Sequence, residues 1–263
     1  RFIWIIRDIS EREASEAKQD AERMRFFHQT KMAEIGLIAA GILHEVGNPI
    51  AAISGMITEM AEEAESGGPP WSERTRDNLK LIGSQAQRLS GITREISDFV
   101  RTRPGVVELF DLNALVRSTV RLARYDARWR QIRLELALDA GIPAIMGIHD
   151  QIAQVLMNLL VNACDAVQDQ PPERQWVAVR TENRRSNVLL SVVDHGHGMS
   201  DETKRRAFDS FFTTKPEGKG TGLGLSLCQT IVAAHQGAIE IESAEGQGAE
   251  FRVVLPVAEP AES

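Results

Sequence analysis

The chain has 263 residues, 43% of them apolar, and a formal net charge of −7. This length and apolar content can supply one large or two ordinary hydrophobic cores, and we favour two domains. The acidic balance and the absence of a lysine- or arginine-rich tract argue against non-specific nucleic-acid binding, which depends on phosphate neutralisation. The two cysteines, Cys164 and Cys228, lie in apolar helical patterns, so we expect buried, reduced thiols in a cytoplasmic protein.

The N-terminal residues have the pattern of a β-strand followed by a helix. Phe2 to Ile6 is apolar throughout, and Arg7 to Arg12 resembles the segment that follows the last strand of PAS sensor domains. We therefore expect residues 1–10 to be the last strand of a truncated PAS-like sensor and residues 11–30 to be a signalling coiled-coil helix. No apolar run approaches the roughly 18 residues that span a bilayer, so any membrane attachment would come from segments outside this sequence.

Two long helices joined by a short break are predicted next. Apolar residues recur at helical spacing up to about Glu65 and again from about Ser72 to Arg101, with the break at residues 66–70. One hairpin cannot bury its own apolar stripe. Four glycines weaken the first helix by about 1 kcal/mol each: Gly36, Gly41, Gly47 and Gly55. We therefore predict that residues 31–103 form a homodimeric four-helix bundle.

The first helix carries a motif that runs from His44 to Pro49. His44 and Asn48 are four positions apart and share a helix face, with Glu45 beside them. A neutral imidazole keeps one nitrogen lone pair for nucleophilic attack, and an adjacent carboxylate can accept the other ring proton. His44 is thus a candidate phosphoacceptor and Glu45 its general base or orienting group, although a solvated surface histidine gives the same pattern. Pro49 lacks an N–H and is expected to bend the helix, which makes it a candidate hinge.

From about Val106 the sequence alternates between helical and strand patterns, which predicts an α/β domain. Asp111 can cap a helix that ends near Arg124. A second helix is predicted at residues 149–168. Five strands are predicted: residues 132–138, 177–181, 188–193, 238–242 and 251–255.

The helix at residues 149–168 has a polar face made mostly of amides. These polar residues recur on one side, opposite a leucine-rich side: Gln151, Gln154, Asn158, Asn162 and Asp165. Exposed helix faces are usually charged, so this face is expected to line a polar cavity, although a partly exposed helix gives the same pattern. Amide oxygens suit Mg²⁺, and Asn162 is the first candidate ligand.

The loop that follows the strand at residues 188–193 has candidate groups for binding a purine. The Asp194 carboxylate can accept a hydrogen bond from an adenine amino group, while Gly196 and Gly198 let the backbone approach the base. An ordinary turn gives the same short pattern. A metal site at His195 and His197 is rejected, because neither cysteine nor a second acid lies at a zinc-binding spacing.

A glycine cluster at residues 218–224 opens the next predicted helix, whose N-terminus can accept phosphate oxygens. It is neither a Walker A loop nor a dinucleotide fingerprint. Residues 208–216 combine three phenylalanines with Lys215, which suggests a mobile lid with an apolar anchor. Gly246 and Gly248 form a tight turn between two strands, or a plain hairpin loop.

Six motifs follow the order found in bacterial sensor histidine kinases of the HisKA type, and the resemblance covers about residues 31–256. They resemble the H, N, G1, F and G2 boxes and the terminal glycine motif: residues 44–49, 158–165, 194–198, 208–215, 218–224 and 246–251. The resemblance implies a multi-domain fold. An all-α helical hairpin, dimeric as a four-helix bundle, is followed at residues 104–258 by an α/β sandwich, the Bergerat ATP-binding fold, and by a tail at residues 259–263.

The resemblance also implies that His44 is autophosphorylated from Mg-ATP and that the phosphoryl group passes to the receiver domain of a separate response regulator. Asn48 matches the position associated with dephosphorylating the regulator. Asn162 would bind Mg²⁺. The implied ATP-binding residues are Asn158, Asn162, Asp165, Asp194, Gly196, Gly198, Lys215, Gly218, Gly220, Thr221, Gly222, Leu223 and Gly224. His195 stands where the family usually has asparagine, which concerns only the packing of that loop.

Two other classes of protein share part of this pattern. A catalytically silent scaffold would keep the fold, but the retained His44, Glu45 and Asn162 argue against it. A Bergerat-fold ATPase of the gyrase or mismatch-repair kind would lack a histidine motif on a helical hairpin. The hairpin therefore favours the kinase.

Overall fold

The computed structural model describes residues 39, 42–67, 69, 72–100, 106–215 and 222–257. Several sequence predictions lie outside these residues: the N-terminal strand, the signalling helix, the lid residues Gly218, Gly220 and Thr221, and the C-terminal tail. Within the described ranges, no helix has the length and apolarity needed to span a membrane.

Two antiparallel helices form the N-terminal part of the described chain. Helix α1 comprises residues 42–65, and helix α2 spans Glu73–Val100. Contacts between them run in opposite directions along the two helices: Glu45 with Arg88, Glu59 with Asn78, and Glu63 with Thr75. The predicted hairpin and the position of its break are confirmed.

Seven strands and four α-helices of the described chain form the α/β domain. The strands are β1 (Glu108–Phe110), β2 (Arg133–Leu138), β3 (Ile145–Gly147), β4 (Trp176–Arg184), β5 (Asn187–Asp194), β6 (Ala238–Ser243) and β7 (Ala249–Pro256). The helices are α3 (Leu112–Ala123), α4 (His149–Val167), α5 (Asp201–Arg206) and α6 (Gly224–Ala234), with short 3₁₀ helices η1 (Ala127–Arg130) and η2 (Pro172–Arg174). Asp111 caps α3 as predicted, accepting the Ala114 N–H at 3.1 Å.

The strands form two sheets. A five-stranded sheet has the order β2-β4-β5-β7-β6, in which β2 and β4 are parallel and the other neighbours are antiparallel. Strands β1 and β3 form a separate antiparallel pair. The sequence does not predict this pair, because three residues are too few to show an alternation of apolar and polar side chains.

Helices α3, α4 and α6 pack against the larger sheet and enclose one hydrophobic core. Residues of β7 alternate between buried and partly exposed, as expected for a strand with one face on a core. Leu156 and Leu160 of α4 are 0% exposed. This two-layer arrangement confirms the predicted α/β sandwich.

Both cysteines are buried thiols, as predicted. Burial raises the pKa of Cys164 to about 12, because the apolar surroundings disfavour the thiolate. The Cys164 side chain therefore stays protonated and contributes to packing.

Candidate functional site

The polar face of α4 is buried at Asn158, whose amide is unsatisfied. Asn158 is only 6% exposed, and its Nδ2 group has no hydrogen-bond partner among the described residues. A Cβ atom on Gly224, the first residue of α6, would lie 2.9 Å from Asn158 Oδ1. An unpaired buried donor costs about 1–3 kcal/mol, so an acceptor such as a phosphate oxygen would be well placed here.

Asn162, Asp165 and Lys215 come together on the next turn of α4. Lys215 Nζ donates to Asn162 Oδ1 at 3.2 Å and also forms an ion pair with the Asp165 carboxylate. Lys215 reaches this point from the segment that precedes the lid. The structure thus brings together three residues that sequence analysis proposed for nucleotide binding.

Arg128 and Asp126 extend this cluster, and sequence analysis missed both. Arg128 binds the Asp126 carboxylate at 2.5 Å with one end of its guanidinium and Asp165 with the other. Burial by itself would lower the pKa of Arg128, but the hydrogen bond that it donates to Asp126 and the charge of Asp165 raise it above its ordinary value. In the sequence these residues have the composition of a charged surface turn. The short helix η1, with Asp126 at its N-terminus, places them beside α4.

Asp194 lies at the end of β5 and is only 3% exposed. Its carboxylate accepts the Gly196 N–H at 2.8 Å. Burial raises its pKa, and the hydrogen bonds from the Gly196 and Ala249 backbones oppose that rise. The carboxylate is therefore a buried acceptor held in one orientation, as a purine-binding group requires.

The glycine turn between β6 and β7 packs on the loop after Asp194. Gly248 has φ +82°, and a Cβ atom there would lie 2.0 Å from the Asp194 carbonyl oxygen. Gly198 has φ +67°, and its Cβ would lie 1.9 Å from the Ala244 carbonyl oxygen. Both positions require glycine, so this turn supports the loop and is more than a plain hairpin connection.

The three phenylalanines before the lid differ in burial. Phe208 and Phe212 are half-buried, whereas Phe211 is 75% exposed and has φ +68°. The backbone of Phe211 contacts Gly222, because its N–H donates to the Gly222 carbonyl oxygen at 2.9 Å. Gly222 has φ +65°, and a Cβ there would lie 2.4 Å from the Phe211 carbonyl carbon. A backbone contact therefore joins Phe211 to Gly222, which lie on the two sides of residues 216–221.

The histidine motif lies on the outside of the hairpin. His44 and Asn48 are exposed, and Glu45 is half-buried. Arg88 of α2 donates to Glu45 Oε2 at 2.6 Å. His44 is thus accessible to a second domain, while one oxygen of its neighbouring carboxylate is fixed from across the hairpin.

The described ranges contain no group of three or more histidine, cysteine, aspartate or glutamate residues placed to hold a metal ion. His195, one of the two histidines considered above, packs on Trp176 with the ring centroids 4.4 Å apart. A hard cation at α4 would therefore rely on amide oxygens together with the oxygens of its substrate.

Two protein families match separate segments of the chain. The family described as "His Kinase A (phospho-acceptor) domain" matches residues 34–105. The family described as "Histidine kinase-, DNA gyrase B-, and HSP90-like ATPase" matches residues 147–259. The first match covers the hairpin with His44, and the second covers α4 and the glycine-rich loops.

Curated relatives align over most of the chain. Sensor histidine kinase ZraS of Escherichia coli O157:H7 is 33% identical over 227 residues, which are 86% of this chain and 47% of ZraS. Sensor protein FixL of Bradyrhizobium diazoefficiens is 30% identical over 258 residues, which are 98% of this chain and 50% of FixL. The chain thus spans about half the length of these relatives.

Solved structures show the same architecture. The catalytic domain of histidine kinase ThkA is 32% identical with a TM-score of 0.51, over 57% of this chain and 95% of that chain. ThkA in complex with response regulator protein TrrA gives 26% identity and a TM-score of 0.50, over 92% of this chain and 66% of that chain. The described chain thus combines a helical hairpin that carries an exposed histidine with an ATPase-type sandwich, the two units that these family descriptions name. The chain belongs to the histidine kinase family.

Proposed function

We propose that this chain is the catalytic core of a sensor histidine kinase, which transfers the γ-phosphoryl group of Mg-ATP to His44 and then to an aspartate of a response regulator. One observation carries the proposal: the exposed His44 and an ATPase-type sandwich with an unsatisfied donor at Asn158 belong to the same chain. We assign residues 31–103 to dimerisation and phosphotransfer and residues 104–258 to ATP binding. The two matched families lie close to these bounds.

The nucleotide site that we propose lies between α4 and α6. Asn158 Nδ2 would donate to a phosphate oxygen, and the Asp194 carboxylate would accept from the adenine amino group. Asn162 Oδ1 would be a ligand of Mg²⁺, an ion that neutralises phosphate charge when bound. The glycines on both sides would let the backbone approach the nucleotide: Gly196, Gly198, Gly218, Gly220, Gly222 and Gly224. Thr221 and Leu223 complete the lid.

The chemistry at His44 is a phosphoryl transfer to nitrogen. The imidazole nitrogen with a free lone pair attacks the γ-phosphorus, a P–N bond forms, and the bond to the bridging oxygen breaks so that ADP leaves. The ring then loses its other N–H proton, and Glu45 is the base that we assign. Arg88 restricts the rotamers of Glu45 through its 2.6 Å hydrogen bond.

Two partners follow from this function. The large apolar side chains that the hairpin leaves exposed support a homodimer, and they include Ile50 and Ile57. The ThkA complex with its response regulator supports a receiver domain as the second partner. Asn48, exposed one turn beyond His44, is the residue that we assign to dephosphorylation of the regulator.

The segments before the hairpin complete the proposal. We assign residues 1–10 to the last strand of a PAS-like sensor and residues 11–30 to a signalling helix, because Arg7 to Arg12 resembles the segment that follows the last strand of PAS sensor domains. We place this portion in the cytoplasm, where ATP and response regulators are available. Membrane attachment, where present, would lie outside this sequence.

The proposal is tested by incubating the protein with Mg²⁺ and γ-labelled ATP. We expect label that survives alkali, is lost in acid and is absent from His44→Gln, whose ATP affinity should be unchanged because His44 is exposed. Label that persists in His44→Gln would contradict the assignment. ATP binding without any label in the wild-type protein would point to a silent scaffold.

A further inference from the structure

The charged side chains beside Asn162 form a continuous chain of four groups. Asp126 binds Arg128, Arg128 binds Asp165, and Asp165 binds Lys215. Asp126 is only 6% exposed and is fixed further by the Arg128 backbone N–H, which donates to it at 2.9 Å. The chain therefore links η1 to the proposed phosphate site with alternating charges.

Asp165 presents an electrostatic problem for nucleotide binding. It lies three residues after Asn162 and so shares its helix face. A carboxylate at this point would repel the phosphates of ATP, because charges that are partly buried and a few ångströms apart are weakly screened by solvent. The other described polar residues of this face are amides, so compensation must come from outside α4.

Arg128 and Lys215 divide the two oxygens of Asp165 between them. Arg128 binds Oδ1 and Lys215 binds Oδ2. Lys215 belongs to the segment before the lid and stands where an incoming phosphate or Mg²⁺ would meet Asn162. Arg128 is also bound by the buried Asp126 carboxylate, so its position does not depend on Lys215.

We propose that Arg128, oriented by Asp126, is a positioning residue of the nucleotide site, which draws the Asp165 carboxylate towards η1 and neutralises it. Asn162 and Lys215 then face the phosphates without a competing negative charge between them. The inference rests on the proposed function, since it assigns the phosphates of Mg-ATP to this place. It predicts that Arg128 acts on nucleotide binding through Asp165 and not through the stability of the fold.

The test is the dissociation constant of Mg-ATP, measured by calorimetry, together with the thermal unfolding midpoint of each variant. Arg128→Met should weaken binding by about 10-fold, the size typical of a group that orients a ligand-binding residue. Arg128→Lys should recover part of the loss, because it keeps the charge but not the two-sided contact. Arg130→Met is the matched control, since Arg130 is an exposed arginine of the same short helix.

A double variant separates positioning from a structural role. In an Asp165→Asn background, Arg128→Met should have little further effect on the dissociation constant, because no carboxylate remains to be neutralised. An equal effect in both backgrounds would overturn the inference. A lower unfolding midpoint with an unchanged dissociation constant would overturn the inference too. If Arg128→Met does not fold, Arg128→Lys is used for the same comparison. Failure of the wild-type protein to bind Mg-ATP would instead overturn the proposed function, and this inference with it.

Discussion

The helical hairpin and the α/β domain bury their apolar residues to different extents. In the α/β domain, Leu156 and Leu160 are 0% exposed, and three helices close the core over the sheet. In the described part of the hairpin, Ile92 is 4% exposed, but several large apolar residues are 43–72% exposed: Leu43, Ile50, Ile57, Leu79 and Leu81. The α/β domain therefore encloses a hydrophobic core, whereas the described part of the hairpin leaves large apolar side chains uncovered, which the proposed four-helix bundle would cover.

The largest expected effect is loss of the dimer. Ile57→Asp places a charge on the exposed apolar face of the hairpin, where covering it would cost several kcal/mol. We expect the protein to become a monomer at micromolar concentration, as measured by size-exclusion chromatography with light scattering.

Met146→Asp is the matched control for this prediction. Met146 is 50% exposed, close to the 54% of Ile57, but it lies on β3 of the α/β domain. Its substitution should leave the dimer intact. A dimer that persists in Ile57→Asp, or a wild-type monomer, would show that the hairpin face is covered in another way.

The next largest effect concerns the core of the α/β domain. Leu156→Ala removes a fully buried side chain and should lower the free energy of unfolding of that domain by about 2–5 kcal/mol. Leu136→Ala, at a position 38% exposed, should cost less than about 1 kcal/mol. Chemical denaturation followed by circular dichroism measures both. If Leu156→Ala also dissociated the dimer, the two regions would not be independent in stability.

Sequence periodicity predicted most of the fold because long amphipathic elements carry a strong signal. The face of α4 from Gln151 to Asp165 was predicted to line a polar cavity. The structure buries Gln154 and Asn158 of this face, and the cavity itself stays a prediction. The alternation of β7 was equally clear. Short elements were missed, since β1 and β3 have three residues each and pair only through the tertiary fold.

The candidate site was predictable where a motif lies on one element and not where it spans several. Asp194 and its glycines are close in sequence, so their grouping was visible. Arg128 lies 37 residues before Asp165, and nothing in the sequence indicates that they meet. The contact between the Phe211 N–H and the Gly222 carbonyl was not predictable for a related reason: it joins two backbones, to which side-chain hydrophobicity gives no clue.

Glycine substitutions should have opposite effects in the two regions. Gly55 lies in α1, and a Cβ atom at this position would have no neighbouring atom of the described chain within 4 Å, so Gly55→Ala should stabilise the hairpin by about 1 kcal/mol. Gly248→Ala should destabilise the α/β domain by about 1–3 kcal/mol, because φ is +82° and a Cβ would lie 2.0 Å from the Asp194 carbonyl oxygen. Thermal unfolding measures both. A destabilising Gly55→Ala would instead place the partner's helix against this position.

The smallest expected effect is a pH dependence confined to the α/β domain. Burial raises the pKa of Asp194, so the folded state favours its protonated form. The contribution of Asp194 to stability is then fully present below its unfolded pKa of about 4 and is lost as the pH rises through the raised folded value. The free energy of unfolding of the wild type, relative to Asp194→Asn, should therefore fall between pH 4 and neutrality. Denaturation of both proteins at several pH values measures this difference.

Dissociation of the proposed dimer should not show the same pH dependence, because Asp194 lies on β5, outside the hairpin. A difference that is constant with pH would mean that the hydrogen bonds from Gly196 and Ala249 balance the cost of burying the charge.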